Sequence, residues 1–119
     1  MHALQPTALA APDVELVAAR RDGRVVGVGA LQLQGPGHGE LKSMHTAAAA
    51  RRSGVGHAVL THLVELARGR GLTRLSLETG TSDAFAPAHR LYASVGFVPC
   101  GPFGAYGPSP HSAYFTLEL

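Results

Sequence analysis

The residues best placed to do chemistry are Arg51-Arg52-Ser53-Gly54-Val55-Gly56-His57. They lie between a strand-like run, Glu40 to Thr46, and a strongly amphipathic helix that begins near Gly54. The first N–H groups of a helix have no partner inside it, and the helix dipole puts partial positive charge at that end. Two glycines two residues apart leave this backbone bare, and the flanking arginines add charge, so an anion such as a pyrophosphate fits there. Two familiar phosphate motifs are absent. A P-loop needs GxxxxGK[ST], and no Lys follows these glycines; a dinucleotide site needs GxGxxG. The spacing here is Arg-x-x-Gly-x-Gly, and its plain alternative is a tight turn with a solvated Arg pair.

The elements around this turn follow from periodicity. Residues 1–12, Ala-rich with Pro6 and Pro12, read as a tail or a short helical turn. Val14 to Arg20 reads as a strand, Asp22-Gly23 as a hairpin turn, and Arg24 to Leu33 as the returning strand. Gly27 and Gly29 within it suggest a bulge or a close backbone approach. Gln34 to Gly39 reads as a loop and Glu40 to Thr46 as a third strand. Val55, Val59, Leu63 and Leu66 share one face of a helix from about Gly54 to Arg70, and Gly71 stops it. Leu72 to Glu78 reads as a fourth strand. A second helix spans about Pro87 to Val95 with Ala88, Leu91, Tyr92 and Val95 as its apolar stripe, and Gly96-Phe97 as its cap. Pro99 to Pro110 reads as a loop, and Ser112 to Leu119 as the final strand. The strand–helix–strand passage implies that the third and fourth strands run parallel behind an antiparallel front end.

With these elements in order, the chain resembles the GNAT family of N-acetyltransferases. The resemblance rests on the strand that opens at Glu40-Leu41, on the Arg-x-x-Gly-x-Gly turn, and on Leu91-Tyr92-Ala93-Ser94-Val95-Gly96-Phe97, which matches Leu-Tyr-x-x-x-Gly-Phe. Together these cover residues 39–98 in family order. Glu78-Thr79-Gly80-Thr81 and Pro102-Phe103-Gly104-x-Tyr106 further resemble a bacterial small-molecule subgroup. The resemblance implies an α/β fold of the acyl-CoA N-acyltransferase type: a mixed central sheet with antiparallel N-terminal strands and a parallel strand–helix–strand core that binds acetyl-CoA. It also implies a single domain over residues 1–119 without the family's usual first strand and first helix. Phe85 departs from the pattern, since many members carry an Asn there that contacts the coenzyme.

Acetyl transfer from a thioester to an amine needs a base for the amine, a donor for the oxyanion and a proton for the departing thiolate. The resemblance implies Tyr92 as general acid, with a core tyrosine as the bland alternative. It implies Glu40 as the base, directly or through water, with Glu78 as a rival that could instead hold the amine or a substrate hydroxyl. Met44, His45 and Thr46 would pair with the pantetheine arm through backbone groups where the strands separate, and one N–H from Met44 or His45 would serve the oxyanion. Arg51, Arg52, Ser53, Gly54, Val55, Gly56 and His57 would meet the pyrophosphate. Phe103, Tyr106 and His111 in the late loop either border the acceptor or fold on one another.

Composition restricts the remaining classes. The chain has 119 residues, one domain's worth, with 45% hydrophobic and 15% charged residues, so it can bury a core. Ten basic against eight acidic residues give a net charge of +2, too balanced to argue for nucleic acid. The one cysteine, Cys100, has no internal partner, and the scattered histidines His38, His45, His62, His89 and His111 have no metal-ligand spacing. With no apolar run of membrane-spanning length and no secretory pattern, a cytoplasmic protein without metal is expected. The expected activity is acetyl transfer from acetyl-CoA to the amine of a small molecule within a ternary complex. A non-catalytic CoA-binding sensor or assembly module is the alternative, and a homodimer covering exposed sheet is expected with either.

Overall fold

The computed structural model describes residues 3–8 and 14–119. The elements are strands β1 (Ala3–Ala8), β2 (Val14–Arg21), β3 (Arg24–Gly35) and β4 (His38–Thr46), helix α1 (Val55–Gly69), strand β5 (Arg74–Gly80), helix α2 (Ala86–Val95), and strands β6 (Val98–Cys100) and β7 (Ser112–Glu118). Short 3-10 turns at Ala48–Ala50 and Asp83–Phe85 precede the two helices. The seven strands form one sheet in the order β1-β2-β3-β4-β5-β7-β6. β4 and β5 are parallel, and the other neighbouring pairs are antiparallel. This is the mixed sheet that the sequence implies, with the parallel pair on either side of α1.

Several boundaries differ from the sequence reading, each for a physical reason. The stretch read as a tail or helical turn forms β1, with Pro6 opposite Val17. Proline is tolerated there because β1 is the outer strand, where a missing N–H breaks no interior ladder. The loop read over 34–39 shrinks to Pro36-Gly37, since Gly35 already pairs with His38 and Gly37 takes a φ of +71°. Pro and Gly there mark a tight hairpin, not a long loop. The first hairpin turns at Asp22 (φ +53°) and Gly23 (φ +77°), two left-handed residues as a two-residue hairpin requires.

Helix α1 buries Val55, Val59, Leu60, Leu63, Val64 and Ala67 against the sheet. It lies so close that a Cβ on Gly27 would meet Val55 Cγ1 at 2.5 Å, and one on Gly29 would meet Leu63 Cδ1 and Met44 Sδ at 2.7 Å. The two glycines therefore set the helix-to-sheet distance. Leu31, Leu41, Leu75, Leu77, Tyr92, Phe97 and Phe115 complete this core. Side chains alternate along strands, so the opposite face carries the polar set: His38 and Glu40 on β4, Ser76 and Glu78 on β5, Tyr114 and Thr116 on β7. Residues 101–111 pass over that second face. Its edge is held by Ser76 Oγ to Thr116 Oγ1 (3.0 Å) and Arg74 Nε donating to Thr116 Oγ1 (3.1 Å).

Candidate active site

β4 and β5 pair only from His38–Arg74 to Leu41–Leu77, although β4 continues to Thr46 and β5 to Gly80. Beyond that point the strands part, and the β5-facing edge of Lys42–Thr46 has no ladder partner. A bulge contributes to the parting. Val28 pairs with His45 and Ala30 with Lys42, so β4 spends one residue more than β3, and Ser43 takes a φ of +56°. Met44, His45 and Thr46 therefore line one wall of a wedge that opens the middle of the sheet.

The start of α1 closes one end of this wedge. Arg52 (φ +63°) and Gly54 (φ +84°) turn the chain into the helix, and no side chain caps it. The first helical bond runs from the Ala58 N–H to the Gly54 carbonyl at 3.0 Å. The N–H groups of Val55, Gly56 and His57 are thus left for another partner. Val55 contributes backbone alone, since its side chain is in the core. Arg51, Arg52 and His57 are exposed. Ser53 is tied down: its hydroxyl donates to the Ala50 carbonyl, and Arg21 Nη2 of β2 donates to Ser53 Oγ at 3.0 Å. A Cβ on Gly56 would sit 3.2 Å from Leu91 Cδ2 and 3.7 Å from Thr46 Oγ1, so α1, α2 and β4 converge at this glycine.

Tyr92 enters from the helix side, 7% exposed, with its ring 6.0 Å from Phe115 and 6.1 Å from Phe97. The Gly96 cap (φ +110°) and the Phe97 N–H to Tyr92 carbonyl bond (3.1 Å) hold this end of α2. Among the described residues the Tyr92 hydroxyl has no hydrogen-bond partner, and no fully buried polar side-chain atom lacks one. The hydroxyl must therefore reach solvent. Burial raises its pKa above the usual tyrosine value, which keeps the phenol protonated and able to donate.

Glu40 comes from the other face. It is 2% exposed, and both of its carboxylate oxygens accept hydrogen bonds: Oε1 from Gln34 Nε2, and Oε2 from the Tyr106 hydroxyl at 2.6 Å. The sequence alternative of an exposed strand-end Glu is thus corrected: Leu41 turns to the core, and loop 101–111 covers Glu40. The bond to Glu40, then burial, drives the Tyr106 pKa far above its usual value. His38 lies one period away on the same strand face and meets Ser76 Oγ at 2.8 Å. Burial first, and then Arg74, lower its pKa, while Glu40 opposes them. Glu78, the rival carboxylate, is exposed and accepts from Ser112 Oγ at 2.7 Å.

Phe103, Tyr106 and Tyr114 form an edge-packed aromatic cluster with centroid separations of 5.2 to 5.9 Å. The late loop therefore folds on its own aromatics, and Tyr106 also reaches Glu40. His111 stays exposed outside the cluster. Two histidines are more engaged than a scattered surface reading implies. His38 is described above, and His89 Nε2 donates to the Gly80 carbonyl at 2.8 Å, pinning the end of β5. Among the described residues no three His, Cys, Asp or Glu side chains gather as a metal site. The Phe85 ring presses on Gly80, leaving no room for a Cβ there. Sequence reasoning missed Gln34 as a partner of Glu40, and Arg21 as a partner of Ser53. Arg21 has no local signal, because 32 positions separate it from Ser53, while Gln34 lies only six positions from Glu40 and faces it across a hairpin once the short turn is recognised.

Comparisons with known proteins agree with this geometry. The model of the acetyltransferase (GNAT) family matches residues 2–97. Over 119 residues the chain is 44% identical to YsnE, an uncharacterized N-acetyltransferase of Bacillus subtilis strain 168, covering 100% of this chain and 79% of that one. It is 42% identical over 119 residues to an IAA acetyltransferase of Azospirillum brasilense, covering 99% of this chain and 76% of that one. A solved chain from Klebsiella pneumoniae, described there as a proposed acyl-CoA N-acyltransferase, matches with a TM-score of 0.91 at 26% identity, over 100% of this chain and 98% of that one.

Proposed function

Since the chain belongs to the GNAT family and is an acetyl-CoA-dependent N-acetyltransferase, we propose that it acetylates the amine of a small molecule by direct attack within a ternary complex. One observation carries this reading. Tyr92 approaches from the helix face and Glu40 from the opposite face, and the sheet between them opens where β4 and β5 part. A thioester lying in that wedge could touch a donor on one side and an amine on the other.

The roles divide accordingly. The bare amides at Val55, Gly56 and His57, with Arg51, Arg52 and Ser53 beside them, hold the diphosphate of acetyl-CoA at the positive end of α1. The unpaired edge at Met44, His45 and Thr46 pairs with the pantetheine arm. An N–H beside the Ser43 bulge stabilises the oxyanion. Glu40 takes a proton from the incoming ammonium through a water, using the carboxylate lone pairs that Gln34 and Tyr106 leave free. The amine nitrogen bonds to the carbonyl carbon, the carbon–sulfur bond breaks, and Tyr92 protonates the departing thiolate; the second proton of the attacking nitrogen leaves through solvent and restores the Tyr92 phenol, so that the proton Glu40 took is the one released net. Holding both reactants together supplies much of the acceleration. Glu78, tied to Ser112 and exposed, is assigned to acceptor binding and not to proton transfer.

The Azospirillum brasilense relative, named an IAA acetyltransferase, favours a small-molecule acceptor. A single transferase domain, a cytoplasmic setting and a homodimer belong to the same reading, and a light-scattering mass equal to one chain would reject the dimer. The test of function is thiol release from acetyl-CoA across a panel of primary amines, amino acids and aminoglycosides, with thermal shift by acetyl-CoA alongside. Turnover above background with at least one amine is expected. Thermal stabilisation without turnover on any amine would support a CoA-binding module instead.

A further inference from the structure

Three residues of the motif Pro102-Phe103-Gly104-x-Tyr106, namely Phe103, Gly104 and Tyr106, lie around Glu40. Phe103 anchors the loop. It is buried, edge-on to His38 (5.7 Å between centroids), Tyr106 (5.2 Å) and Tyr114 (5.9 Å). Gly104 takes a φ of +58° and brings the loop onto Gln34: a Cβ there would lie 2.7 Å from Gln34 Oε1. No side chain would fit at that position without Gln34 moving, and the Gln34 NH2 donates to Glu40 Oε1. Tyr106 then closes the ring by donating to the other carboxylate oxygen at 2.6 Å, and the Tyr114 hydroxyl donates to the Gly107 carbonyl at 2.9 Å to fix the far side of the turn.

We propose that Tyr106 is a positioning residue: with Gln34 on the other oxygen, it orients the Glu40 carboxylate. The inference rests on Glu40 serving as the base. The physical reason lies in the surroundings. Glu40 is buried and no cation pairs with it among the described residues, and an ionised carboxylate in such a place depends on hydrogen bonds to its charged form. Two neutral donors, one per oxygen, supply them and leave the outer lone pairs for a water. A cation in their place would form a tight ion pair and oppose protonation more strongly. The Tyr106 proton stays on the phenol because Glu40 binds it, so Tyr106 remains a donor throughout.

The test compares the acid limb of the pH profile of kcat/KM for acetyl-CoA-dependent turnover, using the amine panel above, with a pH titration of the Glu40 side-chain carboxyl carbon by 13C NMR. The NMR titration needs no acceptor. Removing a donor to the charged form lets the carboxylate keep its proton to higher pH. Tyr106→Phe should therefore move the acid limb and the NMR midpoint to higher pH and lower kcat at neutral pH about tenfold, with KM for acetyl-CoA unchanged. Gln34→Met should move both in the same direction. On a Glu40→Gln background, Tyr106→Phe should change nothing further. Melting curves with and without acetyl-CoA confirm that each variant folds and binds. Full turnover in Glu40→Gln would remove the base assignment and the proposal with it. A large loss in Glu40→Gln, with limb and midpoint unmoved in both Tyr106→Phe and Gln34→Met, would overturn the proposal alone.

Discussion

The cradle at the start of α1 is made of backbone, and the pocket around Glu40 is made of side chains. The cradle draws on consecutive residues, Arg51 to His57, and its geometry comes from two left-handed residues and an uncapped helix start. The Glu40 pocket joins β3, β4 and a loop whose Tyr106 lies 66 positions from Glu40. The first presents unused donors to solvent, and in the second each Glu40 carboxylate oxygen already accepts one hydrogen bond. A ligand can therefore enter the cradle without rearrangement, while chemistry at Glu40 depends on partners that the loop supplies. In the function proposed, the first region holds the coenzyme and the second adjusts a proton acceptor.

The sharpest way to break this contrast is at the cradle. Gly56→Glu puts a carboxylate where the diphosphate should bind and crowds Leu91. Acetyl-CoA at about 100 times its Kd should stabilise the native protein by roughly 2.7 kcal/mol, and the variant should lose that thermal shift entirely. A retained shift would place the diphosphate elsewhere. Next in size, Tyr92→Phe should lower kcat by roughly 100-fold while KM for acetyl-CoA stays near normal, as expected for a lost general acid. Equal losses in binding and turnover would reduce Tyr92 to a packing role.

A smaller effect separates the scaffold from both sites. Gly29→Ala pushes a methyl against Leu63 and Met44, and overpacking of this kind costs about 1–3 kcal/mol. A fall in denaturant midpoint at unchanged m would show it, and an unchanged midpoint would mean that α1 can shift freely. The smallest effect is pH-dependent. His38 has a lowered pKa in the folded protein, so unfolding takes up a proton near and below the ordinary value of 6.5. Its contribution is present above that value and is lost as pH falls through the folded one. Stability should decline below about pH 6.5, and less steeply in His38→Gln, by chemical denaturation at stepped pH. Equal slopes in the two proteins would remove His38 from the cause.

The same contrast explains what was legible in the sequence. Gly54, Gly56 and the Val55–Val59–Leu63 stripe are local signals, so the cradle and α1 could be read directly, as could the parallel pair that α1 connects. The Asp22-Gly23 hairpin was legible for the same reason. β1 was not, because Pro6 is a poor strand residue except on an edge, and edges are decided by the rest of the sheet. Glu40 could be named as a candidate, but its burial depends on Phe103 anchoring a loop sixty residues later. The tie from Arg21 to Ser53 likewise needs the β2–β3 hairpin to be folded first. Long-range side-chain pairs leave no periodic trace in the sequence.

The most direct measurement is a titration of the 15N-labelled protein with acetyl-CoA, following backbone amide resonances. The largest shifts are expected at Gly54, Gly56 and His57 and at Met44 to Thr46, with Glu78 and the 101–111 loop moving little until an amine is added. Silence at the α1 start and along the unpaired edge of β4, with shifts clustered on another surface, would contradict the assignment of both to the coenzyme.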